Sequence, residues 1–174
     1  REQGIRRLMS INLLKRLESS VHSFRLTLKR IQDLICTTLD TIAHYDPSLT
    51  LELNDLTSAV DFDADDQEMD LFTVGKKVKI ALEDMDYVTW KHDLEEDFNT
   101  LYVLVNMVAD ITPEHDSKLQ MLLSTIAEKI DHPINPGNRK VIIFTAFSDT
   151  AEYLYDHVSA FAQGKYGLHT ALVT

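Results

Sequence analysis

Apolar positions recur at helical spacing through the first quarter of the chain. From Leu14 to Ile35 they fall three or four residues apart, and Ile42 follows one heptad later. Such a stripe is typical of one face of a long helix that packs against another helix. The spacing predicts a helix over about residues 2–44, which would span about 60 Å. The stripe consists of Leu14, Leu17, Val21, Phe24, Leu28, Ile31, Ile35 and Ile42.

A second apolar stripe predicts a helix over about residues 75–109. Its members are Leu94, Phe98, Leu101, Val105 and Val108. Because each stripe needs an apolar partner, we expect the two helices to form a long antiparallel helical hairpin. The alternative is a homodimer, in which a stripe pairs with the same stripe of a second chain. A third helix is predicted over about residues 113–131, with its stripe at Leu119, Leu122, Leu123 and Ile126.

An acidic connector separates the first two predicted helices. Residues 46–74 carry nine acidic residues and no basic one. The run from Asp61 to Glu68 has the composition of a calcium loop, but it lacks the glycine and the final glutamate that an EF-hand needs at its sixth and twelfth positions. We therefore expect residues 58–72 to be a mobile linker. The leucines between Leu49 and Leu56 fit a short strand or a helical turn equally well.

The pattern changes after the turn cluster His132–Gly137. Val141–Phe144 contains no polar position, which predicts a central parallel strand buried on both faces. Helical spacing returns from Ala151 to Val158, with Ser148 or Asp149 as N-cap and Gly164 at the end, and Leu168–Thr174 predicts a second strand. The expected fold is mostly α with a small α/β part, divided into 1–132 and 138–174. The two ends are those expected of a fragment.

The net charge of −11 is unevenly distributed. Residues 1–44 carry +4, residues 45–137 carry −15, and residues 138–174 carry 0. An acidic chain is a poor general binder of nucleic acid, although the basic first helix could face phosphate. The plainer interpretation is a solvated helix face.

Other features of the composition bear on the compartment. The single cysteine, Cys36, excludes an internal disulfide, and we expect it to be buried in its helix. No apolar run has the length of a membrane span. We therefore expect a cytoplasmic protein that does not contact a membrane.

The chain lacks the groups that catalysis with nucleotides requires. It contains no G-x-x-x-x-G-K-[ST] phosphate loop and no acidic box for Mg²⁺. The seven histidines show no i,i+4 pair, so no metal site is expected. Ser148, Asp149 and His157 lack the G-x-S-x-G elbow of a hydrolase. We expect no catalytic, cofactor-binding or metal-binding residue in this chain.

Three segments carry a resemblance to a known family. VIIFTAFSDTAEYLYDHV, residues 141–158, resembles helicase motif IV of superfamily-two enzymes. Asp116–Leu119 resembles the S-x-K-L helix that precedes this motif in Swi/Snf-type helicase-like ATPases. Leu13–Ser20, followed by Phe24, is similar to a helix in bacterial members of that group.

The resemblance implies a fragment around the start of the C-terminal helicase lobe, where the first βαβ of a RecA-like lobe has parallel strands. It implies that Thr145, Phe147 and Ser148 contact the nucleic-acid backbone. For Phe147 the alternative is a packing role beneath the helix. For the full-length parent it implies ATP and Mg²⁺ as cofactors, and double-stranded DNA and the rest of the helicase core as partners. The competing hypothesis is a stand-alone helical protein-interaction module without nucleotide function.

Overall fold

A computed structural model describes residues 2–44 and 85–174, and these ranges contain five helices and no strand. The helices are α1 (Glu2–Ser19), α2 (Val21–Ala43), α3 (Tyr87–Ala109), α4 (Ser117–Asp131) and α5 (Ser148–Tyr166). The acidic connector 46–74, with its calcium-like run, its leucines and the residues 58–72 expected to be a mobile linker, lies outside the described residues. The first residues of the second predicted helix, up to 84, also lie outside them.

Helices α1 and α2 together cover the helix predicted over residues 2–44. Ser20 separates them, yet the helical hydrogen bonds continue through it: its N–H donates to the Arg16 carbonyl at 2.9 Å, and the Phe24 N–H donates to its carbonyl at 3.1 Å. The Ser20 hydroxyl also accepts from the Ser23 N–H at 3.0 Å, which is the bond of a helix N-cap. Ser20 therefore ends one helix and caps the next.

The buried face of these two helices differs from the predicted stripe at its beginning. Leu28, Ile35 and Ile42 are buried as predicted. Leu14 and Leu17 are 58% and 39% exposed, so the prediction is wrong there. The same turns bury polar side chains instead, namely Arg16, Ser20 and Ser23.

Cys36 is exposed, contrary to expectation. It follows the buried Ile35, and one residue along a helix is a rotation of about 100° at 3.6 residues per turn. The thiol therefore lies off the face that α2 buries.

Helix α3 begins at a capping aspartate. Asp86 accepts from the N–H and the hydroxyl of Thr89, at 3.1 and 2.7 Å, and the hydroxyl hydrogen bond lowers the pKa of this carboxyl. The five residues of its predicted stripe are half-buried, whereas Tyr102, Val103 and Met107 are exposed. No residue of α3 is buried, and its predicted stripe is only partly covered. The hairpin between α2 and α3 stays a prediction, as does the alternative homodimer.

The chain divides into two compact units that interleave in sequence. The first unit comprises Arg1–Leu13 and Arg25–Val108, and the second comprises Leu14–Phe24 and Ala109–Thr174. The predicted boundary at His132–Gly137 falls inside the second unit. In the three segments that resemble the helicase family, every residue from Leu14 onward belongs to the second unit.

The second unit is built on the packing of α4 against α5. Its core consists of Ile126, Ile130 and Val158, with Leu122, Leu123, Phe161, Tyr166 and Leu168 packed around it. Helix α5 continues through Gly164 to Tyr166 and is followed by the C-cap residue Gly167, whose left-handed φ of 63° suits glycine. This placement returns Leu168 to the core immediately after the helix.

The two predicted strands are not formed. The side chains of Val141, Ile142, Ile143 and Phe144 are 42%, 78%, 38% and 90% exposed, and Leu168–Thr174 is also irregular. A parallel strand exists only through hydrogen bonds to a neighbouring strand, and the described residues offer no such neighbour. The described part of the chain is therefore all-helical, and the predicted α/β part with its RecA-like βαβ unit is wrong.

Replacing Ile126 by alanine tests the core of the second unit. Ile126 is 4% exposed, so Ile126→Ala should lower the free energy of unfolding by about 2–5 kcal/mol, through lost transfer energy and the cavity left behind. Met121→Ala on the same helix is the control, because Met121 is 69% exposed and should change stability by at most about 0.5 kcal/mol. Urea unfolding measures both. Equal losses for the two variants would contradict this core.

Candidate functional site

The three predicted contact residues lie at the start of α5. Thr145 is exposed in the loop before the helix, Phe147 stands at the N-cap position, and Ser148 is the first helical residue. The predicted N-caps Ser148 and Asp149 lie inside the helix instead. The Phe147 side chain makes no capping hydrogen bond. The Thr145 hydroxyl accepts a long hydrogen bond from the Phe147 N–H, at 3.4 Å. We call Thr145–Ser148 the site loop.

A buried ion pair underlies the site loop. The Arg16 Nη1 donates to the Asp149 Oδ2 at 3.0 Å, and the two side chains are only 2% and 6% exposed. The same nitrogen donates to the Ser23 hydroxyl at 3.2 Å. Asp149 lies in the first turn of α5, where a negative charge also interacts favourably with the helix dipole. The pair therefore ties the end of α1 to the beginning of α5.

Phe147 covers the guanidinium of this pair. The guanidinium carbon of Arg16 lies 4.7 Å from the centre of the Phe147 ring, a distance at which a cation and an aromatic face attract each other. Phe147 is half-buried. This contact favours the packing role among the two that the sequence left open.

Hydroxyl groups and a lysine add to this junction. The Thr150 Oγ1 lies 2.9 Å from the Ser19 hydroxyl oxygen and 3.1 Å from that of Ser20. The Lys118 Nζ donates to the carbonyls of Glu18 and Ser19 at the end of α1. A cation at this position satisfies carbonyls that a helix end leaves without partners. The end of α1 is thus fixed from both α4 and α5.

Tyr153 forms a second polar centre one turn further along α5. Its hydroxyl donates to the Asp116 Oδ2 at 3.0 Å, while the Asp116 Oδ1 caps α4 by accepting from the N–H groups of Lys118 and Leu119. His22 stacks on the Tyr153 ring with centroids 4.7 Å apart, and His157 meets it edge-on at the same distance. Among the described residues no cluster of histidine, cysteine and carboxylate side chains could hold a metal ion.

Sequence reasoning selected the residues of the site loop as candidates but missed the buried ion pair beneath them. Arg16 was grouped with a basic helix face, because its partner Asp149 lies 133 residues away and no local spacing connects them. No local signal pointed to the pair, because the helix dipole alone accounts for an acidic residue in the first turn of a helix.

In comparisons with known proteins, no protein-family model, curated protein or solved structure matches the chain. None of the five described helices combines the length and the apolar character needed to cross a membrane.

The buried ion pair can be tested by removing one partner or both. Arg16→Met leaves the Asp149 carboxylate buried without its cation, so we expect a loss of about 3–5 kcal/mol in the free energy of unfolding. The double variant Arg16→Met, Asp149→Leu should recover much of that loss, because no buried charge remains. Urea unfolding reports both values.

The control for this comparison is Arg139→Met. Arg139 is an exposed arginine of the same unit, and its replacement should change stability by at most about 0.5 kcal/mol. If the double variant were less stable than Arg16→Met by as much as Asp149→Leu alone lowers the free energy of unfolding, the two side chains would act independently. That result would contradict the ion pair described here.

Proposed function

We propose that this chain is a non-catalytic piece of a Swi/Snf-type, ATP-dependent helicase-like protein that translocates on nucleic acid. One observation carries the proposal. The residues from Leu14 onward in the three segments that resemble the family lie in one compact unit, although the first is separated from the other two by some ninety residues. Specific contacts join them, among them the buried Arg16–Asp149 pair and the exposed hydrogen bonds of Lys118 to the end of α1.

In this proposal the site loop contacts the phosphate backbone. Thr145 and Ser148 supply hydroxyl groups, which can donate to phosphate oxygens. The first turn of α5 lies directly behind them, and its N–H groups favour a negatively charged ligand. Arg139 and Lys140 are exposed a few residues earlier in the chain, so positive charge is available near the loop in sequence.

The charge distribution is compatible with this role. The second unit carries seven basic and nine acidic residues, a net charge of −2 out of the −11 of the whole chain. Most of the acidic excess therefore belongs to the other unit. Repulsion of a nucleic acid by the second unit is correspondingly weak.

ATP does not fit the residues of this chain. The sequence contains neither a phosphate loop nor an acidic Mg²⁺ box, so the nucleotide would be held by other parts of the parent protein. Double-stranded DNA is the proposed substrate of the parent, and the rest of the helicase core is the proposed partner of this piece. A cytoplasmic location follows from that substrate in a bacterial cell.

A second candidate function is a stand-alone helical protein-interaction module. The observation in its favour is the exposed apolar surface of α3, at Tyr102, Val103 and Met107. Exposed apolar groups of this kind often mark a contact with another protein or with a second copy of the chain. This alternative predicts no binding of nucleic acid by the site loop.

The purified chain alone should not hydrolyse ATP. Phosphoryl transfer needs the phosphate loop, Mg²⁺ and a charge-stabilising arginine together, and the first two binding elements are missing from this sequence. A phosphate-release assay with duplex DNA present measures this directly. ATP hydrolysis that stays with the protein through successive purification steps would contradict the expectation.

Removing both hydroxyl groups of the site loop should weaken DNA binding. For the double variant Thr145→Val, Ser148→Ala we expect roughly tenfold lower affinity for a short fluorescein-labelled duplex, since each neutral hydrogen bond contributes about 0.5–1.5 kcal/mol. Fluorescence anisotropy at low salt measures the affinity.

The matched control is Ser124→Ala, Thr125→Val on α4, which removes the same two groups from exposed positions in the same unit. It should bind as tightly as the unchanged chain. If both double variants bind equally, or if the unchanged chain binds no duplex at all, the proposed nucleic-acid contact is wrong and the interaction module becomes the better hypothesis.

A further inference from the structure

Arg16 contacts the chain on both sides of Ser148. Its guanidinium lies under the Phe147 ring, with 4.7 Å between the guanidinium carbon and the ring centre, and its Nη1 donates to Asp149 at 3.0 Å. Phe147 and Asp149 flank Ser148 in the sequence. One planar group therefore holds both neighbours of Ser148, which restricts the direction of the peptide between them.

The part of α1 that carries Arg16 is itself held in place. Arg16 donates to Ser23, and the serines that follow it contact Thr150, the residue after Asp149. Lys118 holds the carbonyls at the end of α1. Because the end of α1 is anchored to both α4 and α5, the Arg16 side chain has a defined position from which to orient the site loop.

Arg16 does not reach solvent. Its side chain is 2% exposed, and its charge is balanced by Asp149, which is 6% exposed. A phosphate could replace Asp149 only after the buried pair separated, which would leave a buried carboxylate without its cation. A direct phosphate contact by Arg16 is therefore disfavoured in this arrangement.

We infer that Arg16 is a positioning residue for the site loop: through Phe147 and Asp149 it sets the direction in which the Thr145 and Ser148 hydroxyl groups face a phosphate backbone. The inference rests on the proposed function for the identity of the ligand. The orientation of the loop by Arg16 can be measured without any ligand.

The first test uses fluorine spectra of the chain labelled with 4-fluorophenylalanine. The Phe147 resonance is assigned by its loss in Phe147→Leu. Arg16→Lys keeps a positive charge opposite Asp149 but removes the planar group beneath the ring. We expect this variant to shift the Phe147 resonance, to leave the other phenylalanine resonances in place, and to speed amide exchange at residues 145–148. An unchanged Phe147 resonance and unchanged exchange would overturn the inference, whatever the chain binds.

The second test is the salt dependence of duplex binding. A residue that neutralises one phosphate contributes about 0.9 to the slope of log affinity against log salt concentration. Arg16→Lys should weaken binding several-fold at every salt concentration while leaving the slope unchanged. The reference variant Arg139→Gln, Lys140→Gln removes two exposed charges and should lower the slope if those residues contact phosphate. An Arg16→Gln variant whose slope falls by about one unit would identify Arg16 as a direct phosphate contact and overturn the positioning role.

A double-mutant cycle keeps the inference testable if one variant folds poorly. If Arg16 acts through Phe147, then Arg16→Lys combined with Phe147→Leu should bind DNA no more weakly than the weaker single variant. Additive losses would mean that the two residues act separately and would overturn the inference. Failure of the unchanged chain to bind any duplex would overturn the proposed function instead, and the fluorine and exchange measurements would then decide the positioning role alone.

Discussion

The second unit depends on burying one ion pair between residues that are far apart in sequence. Arg16 and Asp149 are 133 residues apart, and each is almost completely removed from solvent. A buried charge is tolerated only when it is paired and its remaining hydrogen-bonding groups are satisfied. Ser23 and the Phe147 ring supply part of that environment, so the positions of α1, α2 and α5 within this unit are linked through a single guanidinium.

This constraint explains why the first helix departs from its apolar pattern. Periodicity predicted that Leu14 and Leu17 would be buried, and both are exposed. A helix has one orientation at each turn, and around Arg16 that orientation follows the polar contacts with α4 and α5. Further along α2 the pattern holds, and Leu28, Ile35 and Ile42 are buried. Apolar spacing thus predicted helical structure over this stretch, although as one helix rather than two, and it could not show that Arg16 would be buried.

The strand prediction failed for a different physical reason. Val141–Phe144 has the composition of a central strand, because β-branched and aromatic residues pack well on a pleated surface. Composition reports what a segment would bury if it had neighbours, whereas a strand also needs hydrogen-bonding partners on adjacent strands. In the described ranges this segment has none, and Phe144 is 90% exposed. Helices make their hydrogen bonds within themselves, which is why the positions of α4 and α5 could be predicted from local sequence and the sheet could not.

In the candidate site, too, local sequence patterns could be recognised, whereas contacts between residues far apart in sequence could not. The loop before α5 could be placed from sequence, since a short loop followed by helical spacing is a local pattern, and the resemblance proposed the same residues as contacts. Its support could not be found in that way, because Arg16, Ser19 and Ser20 reach Asp149 and Thr150 only after the chain has folded. Phe147 belongs to the segment that resembles helicase motif IV. Its ring packs on the Arg16 guanidinium, a contact that no local pattern predicts. This contact favours the packing interpretation of Phe147, and a contact of its ring with nucleic acid stays a prediction.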